Sequence, residues 1–319
     1  MKLYIFETDN HNPYRNLAME RYLTLKAGKD SCLLYLWQND NTVVIGKNQN
    51  CRAECDAAAL EAGGGFLARR MSGGGAVYHD LGNLNFSFIA PSGIYDVSRQ
   101  LNVITAAVNS FDLPYKAQRT GRNDIEINGA KFSGNAFINA ENSCHHGTIL
   151  ISTDFDRLAR YLSVPEKKLE AKGVKSVRSR VINLSSLGAA ITVPAMKKAL
   201  YAAFEKEYGE TAEPLNPESF DGDELERLYG VFSAKSWVYN DFRLMRYRAS
   251  ERFAWGLAEI GFNLAEGKIS EIQAFTDALD GDLAEIIENT FLGRELAQAA
   301  PEDRQELADV WEMIKKINN

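Results

Sequence analysis

Apolar residues recur at two spacings along this chain, and the spacing separates predicted strands from predicted helices. Leu84, Phe86 and Phe88 alternate with the polar Asn85 and Ser87, which is the period-two pattern of a strand with one buried face. Similar short runs predict strands at residues 3–7, 32–37, 42–46, 65–69, 75–79, 84–90, 124–127, 130–138 and 145–152.

Helical patterns fall between these strands. Pro13 suits the first turn of a helix that extends to about Lys26, and a helix over 55–62 ends at a glycine triplet, 63–65. Further helices are predicted at residues 97–110, 154–162, 193–207 and 222–236. A hairpin-rich set of strands with helices inserted between them favours an α+β fold over a regularly alternating βαβ sheet.

Charge is distributed unevenly along the 319 residues, of which 45% are hydrophobic and 25% charged. Residues 249–319 hold fifteen acidic and six basic side chains, so the net charge of −7 divides into −9 for this tail and +2 for residues 1–248. The length and this shift in charge predict two domains, a large one over 1–245 and a small one over 246–319.

The composition argues against a membrane protein, a disulfide-bonded protein and a nucleic-acid-binding protein. The chain has no apolar run of 18 residues and turns acidic by Glu7, so we expect a cytoplasmic protein with no membrane partner. Its four cysteines form no CxxC pair, which is typical of reduced thiols. An acidic chain without a recognisable RNA- or DNA-binding signature is not expected to bind nucleic acid.

A glycine-rich segment between two predicted strands is the first candidate for chemistry. Residues 69–80 read Arg-Arg-Met-Ser-Gly-Gly-Gly-Ala-Val-Tyr-His-Asp. Glycines let backbone N–H groups approach a phosphate or carboxylate, and arginine offers donors of matching geometry. A plain turn before a strand would use the same glycines, so this segment alone leaves both interpretations open.

Lys131 is the second candidate. Asn128-Gly129 is a strong signal for a type I′ hairpin, which would put Lys131 on a rigid returning strand. Simple alternation predicts Lys131 and Ser133 on one face of that strand, next to Gly134. A lone strand lysine is usually solvated, but this one lies in a polar stretch flanked by glycines.

Two adjacent histidines follow in Cys144-His145-His146. Because neighbouring strand residues point to opposite faces, the pair cannot readily hold one metal ion. We therefore favour a hydrogen-bonding role for the histidine that faces the site.

A basic run completes the candidate segments. Residues 166–180 contain six basic and two acidic side chains around a glycine and two serines. A solvated face is the usual explanation, nucleic-acid binding is a second, and a loop that closes over a polyanion is a third.

Together these segments resemble the lipoate-protein ligase family. The resemblance rests on six segments that match in order and spacing: Asn16 to Glu20, Thr42 to Asn50, Arg69 to Asp80, Gly121 to Asp124 with Lys131, His145 to Thr148, and Lys172 to Leu184. The tail is similar to the accessory domain of the bacterial two-domain form at Arg252 to Gly256 and Ala274 to Asp277. The resemblance implies an α+β fold with a large mixed-sheet catalytic domain of the biotin/lipoate ligase type and a small α+β C-terminal accessory domain.

The resemblance implies an enzyme that uses ATP and Mg²⁺ to convert lipoate to lipoyl-AMP and pyrophosphate. The lipoyl group would then pass to a lysine of an acceptor domain, in the E2 subunits of 2-oxo acid dehydrogenases or the glycine-cleavage H protein. Attack of a carboxylate on the α-phosphate brings two anions together, so clustered cations and oriented N–H groups would lower the barrier. Lys131 is the catalytic residue that the resemblance implies.

The resemblance also implies binding residues. ATP would be bound by Arg70, Gly75, Ala76, Val77, Tyr78, Asn83, Asp124, Lys131, Lys172, Ser176 and Arg178. Lipoate would be bound by Lys131 and Arg70, by Ser72, His79 and His146 through ligand oxygens, and by an apolar slot of Leu17, Met19 and Trp37. Core packing would explain the slot residues nearly as well. Asp124 would also bind the Mg²⁺ carried by the phosphates.

Alternatives stay open. An octanoyltransferase is similar in fold but forms a thioester on a cysteine without ATP, and Cys144 is the cysteine beside a catalytic-looking motif. Its commoner role would be that of a small buried hydrophobe. Biotin-protein ligase normally has an arginine- and glycine-alternating loop, which is absent here. A non-catalytic ligand-binding relative is a further alternative, against which the intact Lys131 and basic loop argue.

Overall fold

The computed structural model of the chain describes residues 1–121, 123–162, 181–188, 190–240 and 245–318. The strands in these ranges are β1 (Lys2–Glu7), β2 (Ser31–Trp37), β3 (Thr42–Ile45), β4 (Phe66–Arg69), β5 (Val77–His79), β6 (Asn83–Pro91), β7 (Gln118–Thr120), β8 (Asp124–Ile127), β9 (Ala130–Ile138), β10 (Asn142–Leu150), β11 (Ala212–Pro214), β12 (Tyr247–Arg252), β13 (Leu257–Ala265) and β14 (Lys268–Thr276). The helices are α1 (Pro13–Leu25), α2 (Cys51–Glu54), α3 (Ala57–Ala62), α4 (Val97–Asn109), α5 (Phe155–Tyr161), α6 (Val193–Tyr208), α7 (Gly222–Ser233), α8 (Lys235–Tyr239), α9 (Leu283–Phe291) and α10 (Gln305–Asn318). None of the helices in these ranges combines the length and the apolar character needed to cross a membrane.

Eight of these strands form one mixed sheet in the order β11-β1-β2-β6-β10-β9-β8-β7. β1 pairs in parallel with β11 and β2, whereas each pair from β2 onwards is antiparallel. A smaller sheet, β4-β3-β5, carries the glycine-rich segment between β4 and β5. The predicted α+β fold with a large mixed sheet is confirmed.

The two faces of the main sheet are covered by different helices. On one face, Phe86 and Phe88 of β6 pack with Val103 of α4 and Phe204 of α6. On the other face, residues of β2 and α1 join α7 in a second buried cluster. Side chains alternate between the faces along each strand, so a polar residue within a strand is directed to one of these two layers.

The C-terminal strands and helices have a core of their own. β12, β13 and β14 form an antiparallel sheet, which packs with α9 and α10 around Phe262, Ile287, Phe291 and Trp311. The predicted division at residue 245 stays a prediction, since 241–244 lie outside the described residues.

Several predicted elements differ from the observed ones in their bounds. The helix predicted at 55–62 begins two residues later, at Ala57, because Cys55 is extended and Asp56 caps the helix by accepting a hydrogen bond from the Ala59 N–H; a separate helix, Cys51–Glu54, precedes it. The helix predicted at 222–236 is divided at the extended Ala234. The strand predicted at 145–152 begins earlier and is Asn142–Leu150.

Candidate active site

Lys131 lies on β9 just after the hairpin turn, and its ammonium is held against the sheet. Asn128 and Gly129 have φ angles of 52° and 73°, so the predicted type I′ turn is confirmed. Lys131 Nζ lies 2.7 Å from Oδ1 of Asp124 on β8. A Cβ added to Gly134 would lie 2.7 Å from the same ammonium, so this glycine provides the space that the lysine occupies.

A β-bulge in β9 decides which face the lysine reaches. The register shifts between Ile125 and Glu126 of β8, whose partners on β9 are Ser133 and Lys131, so Phe132 is an extra residue. Phe132 and Ser133 are both fully buried, while the lysine side chain turns to the other face. The prediction that Lys131 and Ser133 share a face is therefore wrong, because simple alternation does not continue through a bulge.

The Arg70 side chain forms several hydrogen bonds within the glycine loop, residues 70–76, which connects β4 and β5. Its Nε donates to Ser72 Oγ at 2.9 Å, and its Nη2 donates to the carbonyls of Gly73 at 2.6 Å and Gly75 at 2.9 Å. Burial lowers the pKa of this guanidinium to about 10, which leaves it charged at neutral pH. Arg70 thus shapes the loop as well as bringing positive charge to it.

Arg69 has a role different from the one that its place beside Arg70 suggests. Its guanidinium is 1% exposed and donates to the carbonyls of residues 46, 47 and 49 on one side and 237–239 on the other. These bonds hold α8 against the small sheet. The arginine that precedes the loop is therefore a structural residue and not an anion-binding one.

His146 on β10 and Glu20 on α1 meet beneath the glycine loop. His146 Nδ1 lies 2.8 Å from Glu20 Oε1, and its Nε2 lies 2.6 Å from Ser72 Oγ. Ser87 on β6 donates to the same carboxylate oxygen at 2.5 Å. Burial alone would raise the pKa of Glu20, but its interactions with His146, Ser87 and Arg70 outweigh this effect and lower the pKa.

His145 faces the opposite side of β10, as alternation predicts. Its Nδ1 lies 3.0 Å from Gln100 Oε1 and its Nε2 lies 2.8 Å from Asn135 Oδ1, among three phenylalanine rings. Burial, with a smaller contribution from His146, lowers its pKa to about 3. Only His146 of the pair belongs to the candidate site.

Three buried side chains of β5 and β6 carry a polar atom that has no hydrogen-bond partner in the described part of the chain. These atoms are His79 Nε2, Asn83 Oδ1 and Asn85 Nδ2. Burial lowers the pKa of His79 to about 3, and Asn39 Nδ2 lies 3.2 Å from its Nδ1, so the neutral ring carries its proton on Nε2. Unpaired buried polar atoms are costly, which favours a bound ligand as their partner.

An apolar cluster adjoins these polar groups on the same face of the sheet. It includes Leu17 of α1, Trp37 of β2 and Cys144 of β10. Met19 packs at the edge of the cluster and faces α7, where it lines a cavity of about 100 Å³ together with Tyr229. The structure thus brings two of the three predicted slot residues into one cluster and directs the third towards the cavity beside α7.

The end of the glycine loop presents its side chains in alternating directions. Val77 is partly buried against the cluster that contains Leu17. Tyr78 is buried on the other side, and its hydroxyl donates to Asn41 Oδ1 at 3.1 Å. Tyr78 would therefore contact a nucleotide through its backbone and not through its ring. Ala76 is half-buried against the apolar cluster that contains Tyr78.

A segment of the C-terminal region, residues 276–282, lies across the glycine loop. The Gly74 N–H donates to the Ala278 carbonyl at 2.7 Å. Lys47, which follows β3, forms an ion pair with Asp282 at 2.8 Å. The C-terminal region therefore contacts the loop directly in this structure.

Lys172, Ser176 and Arg178 lie outside the described residues, as do residues 163–180 generally. The described chain resumes beside the candidate site, where the Ile182 N–H donates to the Lys131 carbonyl at 2.9 Å. The residues that follow the basic segment are therefore attached to the strand that carries the lysine.

Comparison with known proteins identifies the family of this chain. Residues 12–205 match the model described as the lipoyl protein ligase A/B catalytic domain, and residues 244–319 match the bacterial lipoate protein ligase C-terminus. The chain belongs to the lipoate-protein ligase family. The sequence resemblance is thereby confirmed. A lipoate-protein ligase A from Psychrobacter cryohalolentis is 35% identical, and the alignment covers 98% of each chain.

Solved structures resemble this ligase over most of its length. P. falciparum LipL1 in complex with lipoate has a TM-score of 0.81 and 29% identity, and covers 98% of this chain and 99% of its own. A bi-partite lipoate protein ligase from Thermoplasma acidophilum, described with its E2 lipoyl domain, has a TM-score of 0.66 and 26% identity over 77% of this chain and all of its own. A lipoate-protein ligase A bound with ATP, 24% identical with a TM-score of 0.64 over 76% of this chain and 99% of its own, shares the fold.

Two polar residues of the site in this ligase are absent from the sequence-based prediction. Glu20 lies three residues after Leu17 on α1, and both side chains face the sheet. This spacing is the pattern in the sequence that could have indicated a buried Glu20. Asn85 sits at a polar position of an alternating strand, directly between Trp37 of β2 and Thr148 of β10. Neither signal distinguishes a site residue from an ordinary buried polar residue.

Proposed function

We propose that this ligase activates lipoate with ATP to give lipoyl-AMP and pyrophosphate, and then transfers the lipoyl group to a lysine of an acceptor domain. The observation that carries the proposal is the ion pair of Lys131 with Asp124 on the sheet that also holds the unpaired buried atoms of His79, Asn83 and Asn85. The ligands named for related structures, lipoate for LipL1 and ATP for a lipoate-protein ligase A, support it.

The first step joins two anions. A lipoate carboxylate oxygen attacks the α-phosphorus of ATP, a new P–O bond forms, and the bond to pyrophosphate breaks. Lys131 and Arg70 would offset the negative charge that accumulates as these groups meet. Because both are held by hydrogen bonds or an ion pair before substrate arrives, little reorganisation is needed during the reaction.

The two substrates would use different parts of the pocket. The nucleotide would lie along the glycine loop and Asn83, with contacts from Arg70, Gly75, Ala76, Val77 and the Tyr78 backbone, and from Lys172, Ser176 and Arg178 of the basic segment. Lipoate would extend into the cluster of Leu17 and Trp37, with Ser72, His79 and His146 near its oxygens. Met19 stays a prediction as a slot residue, since its side chain faces α7.

Mg²⁺ fits this arrangement through Asp124. One carboxylate together with phosphate oxygens and water is a donor set that Mg²⁺ commonly uses. Asp124 offers such a carboxylate beside Lys131, where the phosphates would lie. When bound, the ion would neutralise charge on the departing pyrophosphate, while Lys131 keeps its own contact with the reacting oxygens.

The second step needs an acceptor lysine. Its amine attacks the lipoyl carbonyl, an amide bond forms, and AMP leaves with the anhydride oxygen. We infer that E2 subunits of 2-oxo acid dehydrogenases and the glycine-cleavage H protein are the acceptors and that the reaction is cytoplasmic. The lipoyl domain named with the Thermoplasma acidophilum ligase supports the first of these partners.

The geometry of Cys144 argues against a thioester route. Its side chain is fully buried, and burial raises the pKa of the thiol well above its usual value. A nucleophilic cysteine needs an accessible thiolate, whereas this thiol packs within the apolar cluster.

Pyrophosphate release tests the proposal. The protein is mixed with ATP, Mg²⁺ and lipoate, with octanoate and biotin as comparison substrates. Lys131→Ala should abolish lipoate-dependent pyrophosphate release, because the cation at the reacting centre is lost, while Cys144→Ser should retain ligation to an acceptor domain. Release that persists in Lys131→Ala and disappears in Cys144→Ser would refute the assignment.

A further inference from the structure

We propose that Glu20 is the positioning residue of this site, a buried carboxylate that orients the glycine loop and the lipoyl slot together through two hydrogen-bond chains. The inference deepens the proposed function and rests on it. It assigns a role to a residue that touches neither substrate in the proposed arrangement.

The first chain leads from Glu20 to the glycine loop. A carboxylate only accepts hydrogen bonds, so the 2.8 Å contact requires the proton of His146 on Nδ1. A ring with that single proton accepts at Nε2 from the Ser72 hydroxyl, 2.6 Å away. The Ser72 oxygen in turn accepts from Arg70 Nε at 2.9 Å. Each donor direction in this chain is thus fixed by the carboxylate at its end.

The second chain leads from Glu20 to the apolar slot. The Ser87 hydroxyl donates to Glu20 Oε1 at 2.5 Å, so its oxygen is left to accept. Trp37 Nε1 donates to that oxygen at 3.0 Å. The indole of Trp37 is therefore held at one edge by the same carboxylate that orients Ser72.

Both chains end on a single oxygen, Oε1, in the same buried layer. Glu20 is 4% exposed, and Arg70, Ser72 and Ser87 are buried as well, so water does not readily replace a lost acceptor. A glutamine at this position carries no charge and can turn either its amide oxygen or its NH2 group towards His146 and Ser87. It would therefore weaken both hydrogen bonds and no longer fix the proton of His146 on Nδ1.

Glu20→Gln tests this role because it preserves shape but removes the negative charge to which both hydrogen bonds are made. With the pyrophosphate assay, we expect KM to rise for both lipoate and ATP and kcat/KM to fall roughly 10- to 100-fold, the size of losing a hydrogen bond to a charged group. Ser87→Ala breaks only the slot chain and should raise KM for lipoate more than for ATP. Thr24→Val is the matched control, since Thr24 is buried one turn later on α1 and its hydroxyl donates within the helix.

The histidine tautomer gives a second readout that packing alone would not change. The chain has four histidines, so ¹⁵N spectra of the full-length protein can assign each ring. We expect His146 to be protonated at Nδ1 in the parent protein and to lose this preference in Glu20→Gln, while Thr24→Val retains it. A Glu20→Gln variant with unchanged tautomer and unchanged KM values would overturn the inference.

The outcomes separate this inference from the function on which it rests. A parent protein that releases no lipoate-dependent pyrophosphate would refute the proposed function. An active parent whose Glu20→Gln variant binds ATP more tightly would refute positioning, since that result would mean that Glu20 merely opposes the positive charge of Arg70.

Discussion

Lowering the pH from 7 to 5 should destabilise this protein through His145. The ring is fully buried against Phe86, Phe88 and Phe137, and its pKa of about 3 is far below the value near 6.5 of a solvated histidine. The unfolded chain therefore binds a proton in this window that the folded chain does not. The contribution of the neutral His145 ring to stability is fully present above pH 6.5 and is lost as the pH falls towards 3.

The expected magnitude follows from these two pKa values. The pKa of the unfolded histidine, near 6.5, lies about 1.5 above pH 5. Protonation therefore stabilises the unfolded chain and lowers the free energy of unfolding by about 2 kcal/mol at this pH. The pKa of His79 is also about 3, so this residue lowers the free energy of unfolding of the parent protein at pH 5 by a similar amount. Glu20 does not contribute in this window, because a carboxylate with a lowered pKa loses stability only below its unfolded value near 4.5.

Urea unfolding at pH 7, 6 and 5 measures this effect. His145→Gln keeps a neutral side chain that can hydrogen-bond Gln100 and Asn135, so it should lose about 2 kcal/mol less than the parent between pH 7 and pH 5. Equal losses, or a parent that gains stability at pH 5, would refute the reasoning. Either result would mean that the ring is charged and donates to the amide oxygens of both Gln100 and Asn135.

Three further predictions concern the glycine loop and its surroundings. Gly46→Ala should lower stability by roughly 1–3 kcal/mol and raise KM for ATP, because its Cβ would collide with the Gly74 carbonyl oxygen; chemical unfolding and pyrophosphate kinetics measure both. Asn85→Ala should raise KM for lipoate, since its Nδ2 has no partner in the described protein, and should lower stability by about 1–3 kcal/mol, since Asn83 Nδ2 loses its acceptor Oδ1; an unchanged KM would show that no ligand uses this amide. Lys47→Ala should change the free energy of unfolding by less than about 1 kcal/mol, since its partner Asp282 is largely exposed; a larger loss would mean that this pair holds the C-terminal region in its position.

The local part of the site could be predicted from the sequence. Asn128-Gly129 has a short-range chemical reason to form its turn, and the observed φ angles agree. Alternation likewise predicts that His145 and His146 point to opposite faces, and their separate hydrogen-bond partners agree. Each of these features depends on residues that are close together in the chain.

The parts that were missed depend on partners that are far apart in the chain. Glu20 becomes a site residue only because Ser87 and His146, 67 and 126 residues further along, meet it on one sheet face. Arg69 looks like an anion-binding residue until the 237–239 carbonyls occupy its guanidinium. No local pattern contains these contacts, since they form only when helices and strands that are distant in the chain pack together.

The β-bulge at Phe132 has a consequence for which insertions this ligase can tolerate. The direction of Lys131 depends on the number of residues between it and Gly134 and not on the length of the hairpin tip. Residues added at Asn128-Gly129 would lengthen the loop and leave the ammonium beside Asp124. A regular pairing that kept Phe132 without the bulge would turn the lysine to the buried face of Ser133, so the face that Lys131 reaches depends on the residues within the strand and not on those at the tip.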